Sequence, residues 1–164
     1  MIPHEVEKLF TEIKDPIVFA TGDGTPHATP MNWQYTGNGS IWISPAGGTK
    51  KIKNILKNKN VCCANLEGMN KGSRGFILWG EIEEMETGLW ALLKNFRVLK
   101  KTLNEKSNIN LDFRTLKMLW VYHNDPSIYY SVFPWDRYFL KVKINRVKYW
   151  DGKGVKGEIE LKTP

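Results

Sequence analysis

The spacing of apolar residues at the start of the chain predicts a helix followed by a buried strand. Apolar residues recur there at intervals of three and four, as in a helix that lies on a core: Ile2, Val6, Leu9, Phe10 and Ile13. Asp15-Pro16 ends this helix, because the residue before a proline is pushed out of the helical region. The apolar run at residues 17–20 then predicts a strand.

Turn signals divide the next segment into short antiparallel strands. The turn chemistry of residues 21–26 predicts a hairpin between the strand at 17–20 and a second strand at 27–35. Another turn at residues 37–40 leads into a strand at 41–44. Pro30 lies inside the strand at 27–35 and cannot donate a ladder hydrogen bond. That strand is therefore expected to be an edge, to carry a bulge, or to leave its backbone facing a ligand.

The rest of the chain predicts further helices and three further strands. Thr49 takes an N-cap position before a helix at 50–59, and a glycine-containing loop joins strands at 61–66 and 74–85. A longer helix follows, with one apolar face formed by Leu89, Leu92, Leu93, Phe96, Leu99 and Leu103. The pattern of 104–138 is ambiguous, and 111–120 within it fits a helix. Alternation at 140–145 predicts the last barrel strand, followed by a mostly polar tail.

Several short antiparallel strands with a few helices indicate an α+β domain built around a closed or split barrel. With 164 residues, 41% of them apolar, the chain is expected to form a single domain over 1–164. It has no run of eighteen apolar residues, which predicts a soluble, cytoplasmic protein. Cys62 and Cys63 are adjacent and suit neither a disulfide nor a zinc site, and the three histidines have no ligand spacing. No metal site is expected.

The segment 44–51, Ser-Pro-Ala-Gly-Gly-Thr-Lys-Lys, is the strongest candidate for chemistry. A helix start exposes unpaired N–H groups and the positive end of the helix dipole, glycines let a phosphate approach, and the hydroxyls and lysines add donors. The segment is a plausible monophosphate cradle, although a capped surface helix with solvated lysines explains it equally well. The net charge of +7 is compatible with an anionic ligand but also with nucleic acid.

The order of these features resembles the FMN-binding split barrels around pyridoxamine 5′-phosphate oxidase. The resemblance rests on Thr29-Pro30-Met31, on the strand at 41–44, on the helix start at 48–55, on the strand at 74–82 and on the ending at 146–152. It implies a six-stranded antiparallel split β-barrel with flanking helices. The sequence departs from the true oxidase, because it has no arginine on the second strand and lacks the C-terminal arginine/histidine pattern. It is more similar to the general-stress-protein-like relatives, whose substrates are mostly undefined.

The resemblance also implies a cofactor, its contacts and an assembly. Thr49, Lys50 and Lys51 would hold the FMN phosphate, while Arg74 would be an additional contact. The isoalloxazine would be lined by Met31, Asn32, Trp33, Ile43 and Ser44. Two subunits build each flavin pocket in the family, so a homodimer is expected, with Trp79 or Trp150 reaching the partner's site. The flavin carries the chemistry, so no catalytic side chain is nominated.

Three other interpretations stay open at this stage. A flavin-binding or sensor protein without turnover would need the same pocket but no donor access. The deazaflavin F420 or haem would replace FMN, since related split barrels use both. A basic barrel that binds single-stranded nucleic acid would use Trp33, Trp42 and Trp79 as stacking platforms, with an affinity that falls steeply with salt.

Overall fold

The computed structural model describes residues 2–67, 73–107, 137–153 and 156–161. Within them lie three helices and eight strands, in this order: α1 (His4–Glu12), β1 (Ile17–Gly22), β2 (Pro26–Met31), β3 (Trp33–Gly37), β4 (Ser40–Ile43), α2 (Lys50–Lys57), β5 (Asn60–Glu67), β6 (Arg74–Thr87), α3 (Gly88–Ser107), β7 (Tyr138–Asp151) and β8 (Lys156–Glu160). None of the helices in these ranges has the length and the apolar character needed to cross a membrane.

The strands form one antiparallel sheet in the order β2-β1-β5-β6-β7-β4-β3, with β8 paired to β7. The edge of β7 away from β6 is shared, because its first half pairs with β4 and its second half with β8. Strands β2 and β3 stand at the two ends of the order, although only Asn32 separates them in sequence. The sheet therefore curls back on itself and is split between these two strands, which is the expected split-barrel architecture.

The long strands β6 and β7 bend around the barrel at two irregularities in their register. The first follows Trp79, where Gly80 pairs with Ile144 and Asn145 is left over as a bulge. A Cβ added at Gly80 would meet the carbonyl oxygen of Lys143 and lie 2.9 Å from Val142 Cγ1. Glycine therefore lets the two backbones approach at the bend, which a flat sheet would not allow.

The core fills the inside of the curled sheet and continues under α1. Its aromatic centre consists of Phe10, Trp33 and Phe76, with Phe10 and Phe76 edge to face at 4.8 Å between ring centroids. Trp33 is fully buried, and its indole N–H donates to the carbonyl oxygen of Asp15 at 2.9 Å. A second, smaller core lies between the barrel and α3 and contains Trp42 and Phe139. Strand β4 thus contributes apolar side chains to both cores, because Ile41 and Ile43 pack in the first and Trp42 packs in the second.

The strand prediction is confirmed in arrangement and corrected in two details. The predicted strand at 27–35 is two strands, β2 and β3, because the chain turns from one end of the sheet to the other at Asn32. No strand is predicted in the mostly polar tail beyond residue 152, but it contains β8, with Ile159 packed against the core. Within the described residues, these two differences raise the number of strands from six to eight.

The local elements agree with the pattern of the sequence. The β1–β2 hairpin forms with Gly22 opposite Pro26, and β2 is an edge strand, as Pro30 requires. Asn38 and Gly39 both have positive φ in the β3–β4 turn, which favours these residue types. Helix α3 forms as predicted, although Leu93 on its expected apolar face is 56% exposed. The helix suggested at 111–120 lies outside the described residues.

Candidate functional site

A cavity of about 520 Å³ lies where the edge strand β2, the loop after β4, the start of α2 and helix α3 meet. Its lining is mixed, with apolar groups and only two charged side chains among the described residues: Pro16, Thr29, Pro30, Met31, Asn32, Trp42, Ser44, Ala46, Thr49, Lys51, Leu99, Thr102 and Arg137. Both charged groups are cations. The size and the few convergent polar groups are typical of a small-molecule site.

The edge strand β2 supplies one wall of this cavity. Thr29 lies opposite the fully buried Phe19 of β1, so its side chain points into the barrel, while Pro30 points outward. The hydroxyl of Thr29 is buried and has no hydrogen-bond partner among the described residues. Among the described strands β2 pairs only with β1, so no strand of the described residues covers its other edge, which can present backbone groups to a ligand.

Ser44 is the first residue after β4, and it offers an unused donor at the bottom of the cavity. The residue is only 6% exposed, and its hydroxyl is buried without a hydrogen-bond partner in the described part of the chain. Its carbonyl oxygen, in contrast, accepts a hydrogen bond from Arg137 Nη1 at 2.6 Å. A buried hydroxyl without a partner costs about 1–3 kcal/mol, so a ligand atom that pairs with it is favoured.

No side chain of the described residues caps the start of helix α2. Thr49 occupies the N-cap position, but its hydroxyl donates to the carbonyl oxygen of Ala46 at 3.0 Å instead of accepting from the helix. The first N–H groups of a helix have no intrahelical partner, and a helix start carries a partial positive charge. Lys51, in the first turn, lines the cavity beside this end. The arrangement attracts an anion.

Arg137 reaches the same place from a distant part of the sequence. Its backbone bridges to Ala46, and the N–H of the next residue, Tyr138, donates to the carbonyl oxygen of Pro45 at 3.0 Å. These contacts extend the β4–β7 ladder by a few residues beyond Ile43 and Leu140. They hold the arginine side chain against Ser44 and near Lys51.

Two partly buried cations therefore share the cavity without a carboxylate. No ion pair joins Lys51 or Arg137 to an acidic side chain in residues 2–67, 73–107, 137–153 and 156–161. Burial lowers the pKa of Lys51 below its ordinary value, and the positive charge of Arg137 lowers it further. Burial also lowers the pKa of the Arg137 guanidinium. An anion bound between them would offset both the repulsion and the lost hydration.

The cavity brings together five of the nine site residues that the sequence suggested. These are Met31, Asn32, Ser44, Thr49 and Lys51. The side chains of Trp33 and Ile43 are fully buried in the core and do not line the cavity. Lys50 is exposed and contributes to lowering the pKa of Asp23 instead. A cofactor role for these residues stays a prediction.

Arg74 lies in a different region, where its guanidinium forms an ion pair with Glu12 at 2.7 Å. It lines a smaller cavity of about 260 Å³ together with Tyr149 and Asp151. Strand β6 places it there, because Arg74 pairs with Asp151 at the far end of β7. Arg74 therefore does not line the cavity at the start of α2.

Sequence reasoning missed Arg137, Trp42, Leu99 and Thr102 as lining residues. Arg137 ends a segment whose pattern is ambiguous, and only the pairing of β4 with β7 brings it to Ser44. The sequence does place Arg137 just before the alternating strand at 140–145. This position indicates a contact with Ser44 only when the strand that pairs with 140–145 is known. Leu99 and Thr102 were assigned to one helix correctly, but their neighbours depend on how the helix packs.

Comparison with known proteins identifies the fold. No family model and no curated protein match the chain. Among solved structures, a conserved hypothetical protein from Mycobacterium tuberculosis matches at a TM-score of 0.66 and 19% identity, over 99% of this chain and 94% of that one. An F420 reductase matches at a TM-score of 0.61 and 19% identity, over 89% and 98% of the two chains. General stress protein 26 from Bacillus anthracis matches at 0.57 and 18%, over 96% and 97%.

The similar structures also include pyridoxamine 5′-phosphate oxidase-like proteins, in agreement with the resemblance noted in the sequence. Others are a FAD-binding protein from Mesorhizobium loti and a heme binding protein from Mycobacterium smegmatis, at 15% and 17% identity. At these identities the likeness shows a common fold. The chain therefore has the split-barrel fold of proteins that carry different cofactors.

Replacing Lys51 by methionine should raise the melting temperature of the ligand-free protein at pH 7. The folded state lowers the pKa of Lys51, so the charged form is disfavoured by folding at every pH below that pKa. The difference from wild type should shrink as the pH rises through the lowered pKa, because wild type then loses the costly charge. Differential scanning calorimetry in an anion-poor buffer between pH 7 and 10 measures both effects.

Lys53→Met is the matched control, because Lys53 is exposed on the same helix and does not line the cavity. It should leave the melting temperature nearly unchanged at each pH. If Lys51→Met lowered the melting temperature more than Lys53→Met, Lys51 would have a stabilising partner, and the account of an uncompensated cation would be wrong.

Proposed function

We propose that this chain binds FMN in the cavity and acts as a flavin-dependent oxidoreductase whose substrate is a small molecule. The observation that carries the proposal is the pair Lys51 and Arg137, two partly buried cations that face one cavity at an uncapped helix start. A phosphate dianion complements this arrangement in charge. The fold supports it further, because similar structures include an F420 reductase and a FAD-binding protein.

Lys51 and Arg137 would hold the phosphate, with the N–H groups at the start of α2 as additional donors. The planar guanidinium of Arg137 suits a bidentate contact to phosphate, while the ammonium of Lys51 acts as a compact charge. The hydroxyls of Ser44 and Thr29 have no partner within the described residues, so they are available to polar atoms of the same ligand.

The remaining lining suits a flat ring system. Met31, Trp42 and Leu99 are large and apolar, and the edge of β2 that no described strand covers offers backbone donors and acceptors beside them. A flavin needs both kinds of surface, since its ring is apolar on its faces and polar at its edge. When bound, FMN would supply the hydride chemistry, and the chain would supply binding, orientation and the exclusion of water.

The lining argues for FMN over haem. Haem iron takes a histidine, cysteine, methionine or tyrosine as axial ligand, and Met31 is the one such residue on the described part of the lining. F420 stays closer to the proposal, because it also presents a phosphate and a flat ring. Parallel titrations with FMN and F420 separate the two.

Lys51→Ala should weaken FMN binding by roughly ten- to a hundredfold and leave riboflavin binding nearly unchanged. Charge-assisted hydrogen bonds contribute about 1.5–3 kcal/mol each, and only FMN carries the phosphate that Lys51 would contact. Arg137→Ala should have the same selectivity. Quenching of flavin fluorescence in titrations of both ligands against each variant gives the dissociation constants.

Lys53→Ala removes an equal charge from the same helix outside the cavity and serves as the control. Equal losses from Lys51→Ala and Lys53→Ala would indicate diffuse electrostatics and would revive the nucleic-acid interpretation. Absence of FMN binding by the wild-type protein would refute the proposed function.

We also propose that two copies of the chain associate through one face of the sheet. On the side away from the core, strands β2, β1, β5 and β6 carry eight apolar or small side chains in two cross-strand rows. We call this surface the outer face, and its rows are Pro30-Val18-Ala64-Ile77 and Ala28-Ala20-Cys62-Trp79. A sheet that covers a core with one face normally carries polar residues on the other.

A second copy is the partner that best fits the outer face. Pro30 belongs both to this face and to the lining of the cavity, so the face continues to the mouth of the site. A two-fold axis across it would let each copy cover the other's apolar rows and close both cavities. This arrangement agrees with the homodimer expected from the resemblance.

Val18→Lys should convert the dimer into a monomer, because it places a charge in the middle of the outer face. Val18 is 49% exposed in the single chain, so the substitution should not disturb folding. Light scattering should give twice 19.0 kDa for wild type and 19.0 kDa for the variant. Leu56→Lys is the control, since Leu56 is 63% exposed on α2 and is not one of the eight side chains of the outer face. A wild-type protein that is monomeric at all concentrations, or a dimeric Val18→Lys variant, would contradict the proposal.

A further inference from the structure

Trp42 is the point at which helix α3 meets the cavity. The residue is only 4% exposed, and it lies on the side of β4 that faces α3. Its ring packs against Phe139 at 5.8 Å between centroids. It lines the cavity described above and also a second cavity of about 550 Å³ on the side of α3, where Glu86, Lys94 and Asn95 are found. Trp42 is therefore the shared wall of two cavities.

A hydrogen bond fixes the edge of this wall. The indole N–H of Trp42 donates to Asn95 Oδ1 at 3.1 Å. The two donor positions of the Asn95 amide are both used, because Nδ2 donates to Glu86 Oε2 at 3.2 Å and to the carbonyl oxygen of Ala91 at 2.9 Å. These two acceptors require the nitrogen on their side, so the oxygen must face Trp42. The amide therefore cannot flip without losing three hydrogen bonds.

Charged residues that do not line the first cavity fix the position of Asn95. Glu86 accepts a hydrogen bond from Lys94 Nζ at 2.6 Å through its other carboxylate oxygen. Lys94 also contacts Glu84, which pairs with Lys141 on β7. The network ends on Trp42, which is the only one of these residues that lines the cavity at the start of α2 within the described parts of the chain.

We propose that Trp42 contacts the ring system of the ligand and that Asn95 is its positioning residue. The inference rests on the proposed function, and it deepens that function by naming a ring contact and the residue that fixes its position. A rigid aromatic wall favours a flat, π-bearing ligand over a flexible anion of the same charge, because it is ordered before binding. Asn95 then influences affinity without lining the cavity itself.

The test compares FMN and riboflavin binding to wild type, Asn95→Leu, Trp42→Phe and the double variant. Each single change should weaken both ligands by a similar factor, roughly two- to tenfold, since a net hydrogen bond is lost and the ring is common to both ligands. The double variant should bind no more weakly than the weaker single variant, because both changes remove the same interaction. Asn95→Asp combined with Glu86→Gln reverses the donor and acceptor between these two side chains and keeps an acceptor for Trp42, although the carbonyl oxygen of Ala91 then loses its donor. It should restore part of the affinity lost in Asn95→Leu.

The control is Asn104→Leu, an equal change at an exposed position on the same helix, which should not alter either affinity. A second measurement needs no ligand: exchange of the Trp42 indole proton with solvent, followed by NMR and assigned through Trp42→Phe. It should be faster in Asn95→Leu than in wild type. Exchange that is unchanged in Asn95→Leu would overturn the positioning role.

Each outcome of the titrations either supports or overturns the roles proposed for Trp42 and Asn95. If wild type binds both flavins and Trp42→Phe and Asn95→Leu bind them equally well, Trp42 is only a core residue beneath α3. Losses confined to FMN, or losses that add in the double variant, would also overturn it. A wild-type protein that binds neither flavin refutes the proposed function itself, and the inference falls with it.

Discussion

The placement of two like charges in one partly buried cavity is the constraint on which this account depends. Lys51 and Arg137 repel each other, and burial deprives both of hydration, yet backbone contacts hold them together. Such an arrangement costs stability unless an anion is bound. It is therefore typical of a binding site, because folding alone would favour an apolar side chain at either position. The hydroxyls of Ser44 and Thr29, which have no hydrogen-bond partner among the described residues, also favour a bound ligand in this cavity.

The barrel makes this arrangement possible by pairing strands that are far apart in sequence. Strand β4 pairs with β7 in antiparallel register, so the residues just after β4 face those just before β7. The loop at 44–49 then leads into α2, whose start delivers Lys51 to the same point. Among the described strands, the split between β2 and β3 leaves one edge of β2 without a partner beside these cations. The topology thus brings two cations together next to an open strand edge.

The local elements could be predicted from the sequence because each has a short-range physical cause. Pro30 restricts β2 to an edge, Asp23-Gly24 closes the first hairpin, and the leucine stripe of α3 follows a helical period. The break between β2 and β3 at Asn32 and the strand β8 could not be predicted. Both depend on how the strands pair in the sheet, and a local pattern does not identify the pairing partners. The same limit applies to the site. Lys51 and Ser44 belong to a continuous motif, whereas Arg137 and Trp42 enter the cavity only through tertiary packing.

We propose a flavin site in the cavity between β2, the loop after β4, the start of α2 and α3, with Lys51 and Arg137 holding the phosphate. A crystal structure of the protein grown with FMN would show where the flavin binds. We expect phosphate oxygens at about 2.7–3.2 Å from the Lys51 ammonium and the Arg137 guanidinium, with the ring against Trp42. A flavin bound elsewhere, or one whose phosphate contacts neither cation, would contradict the proposal.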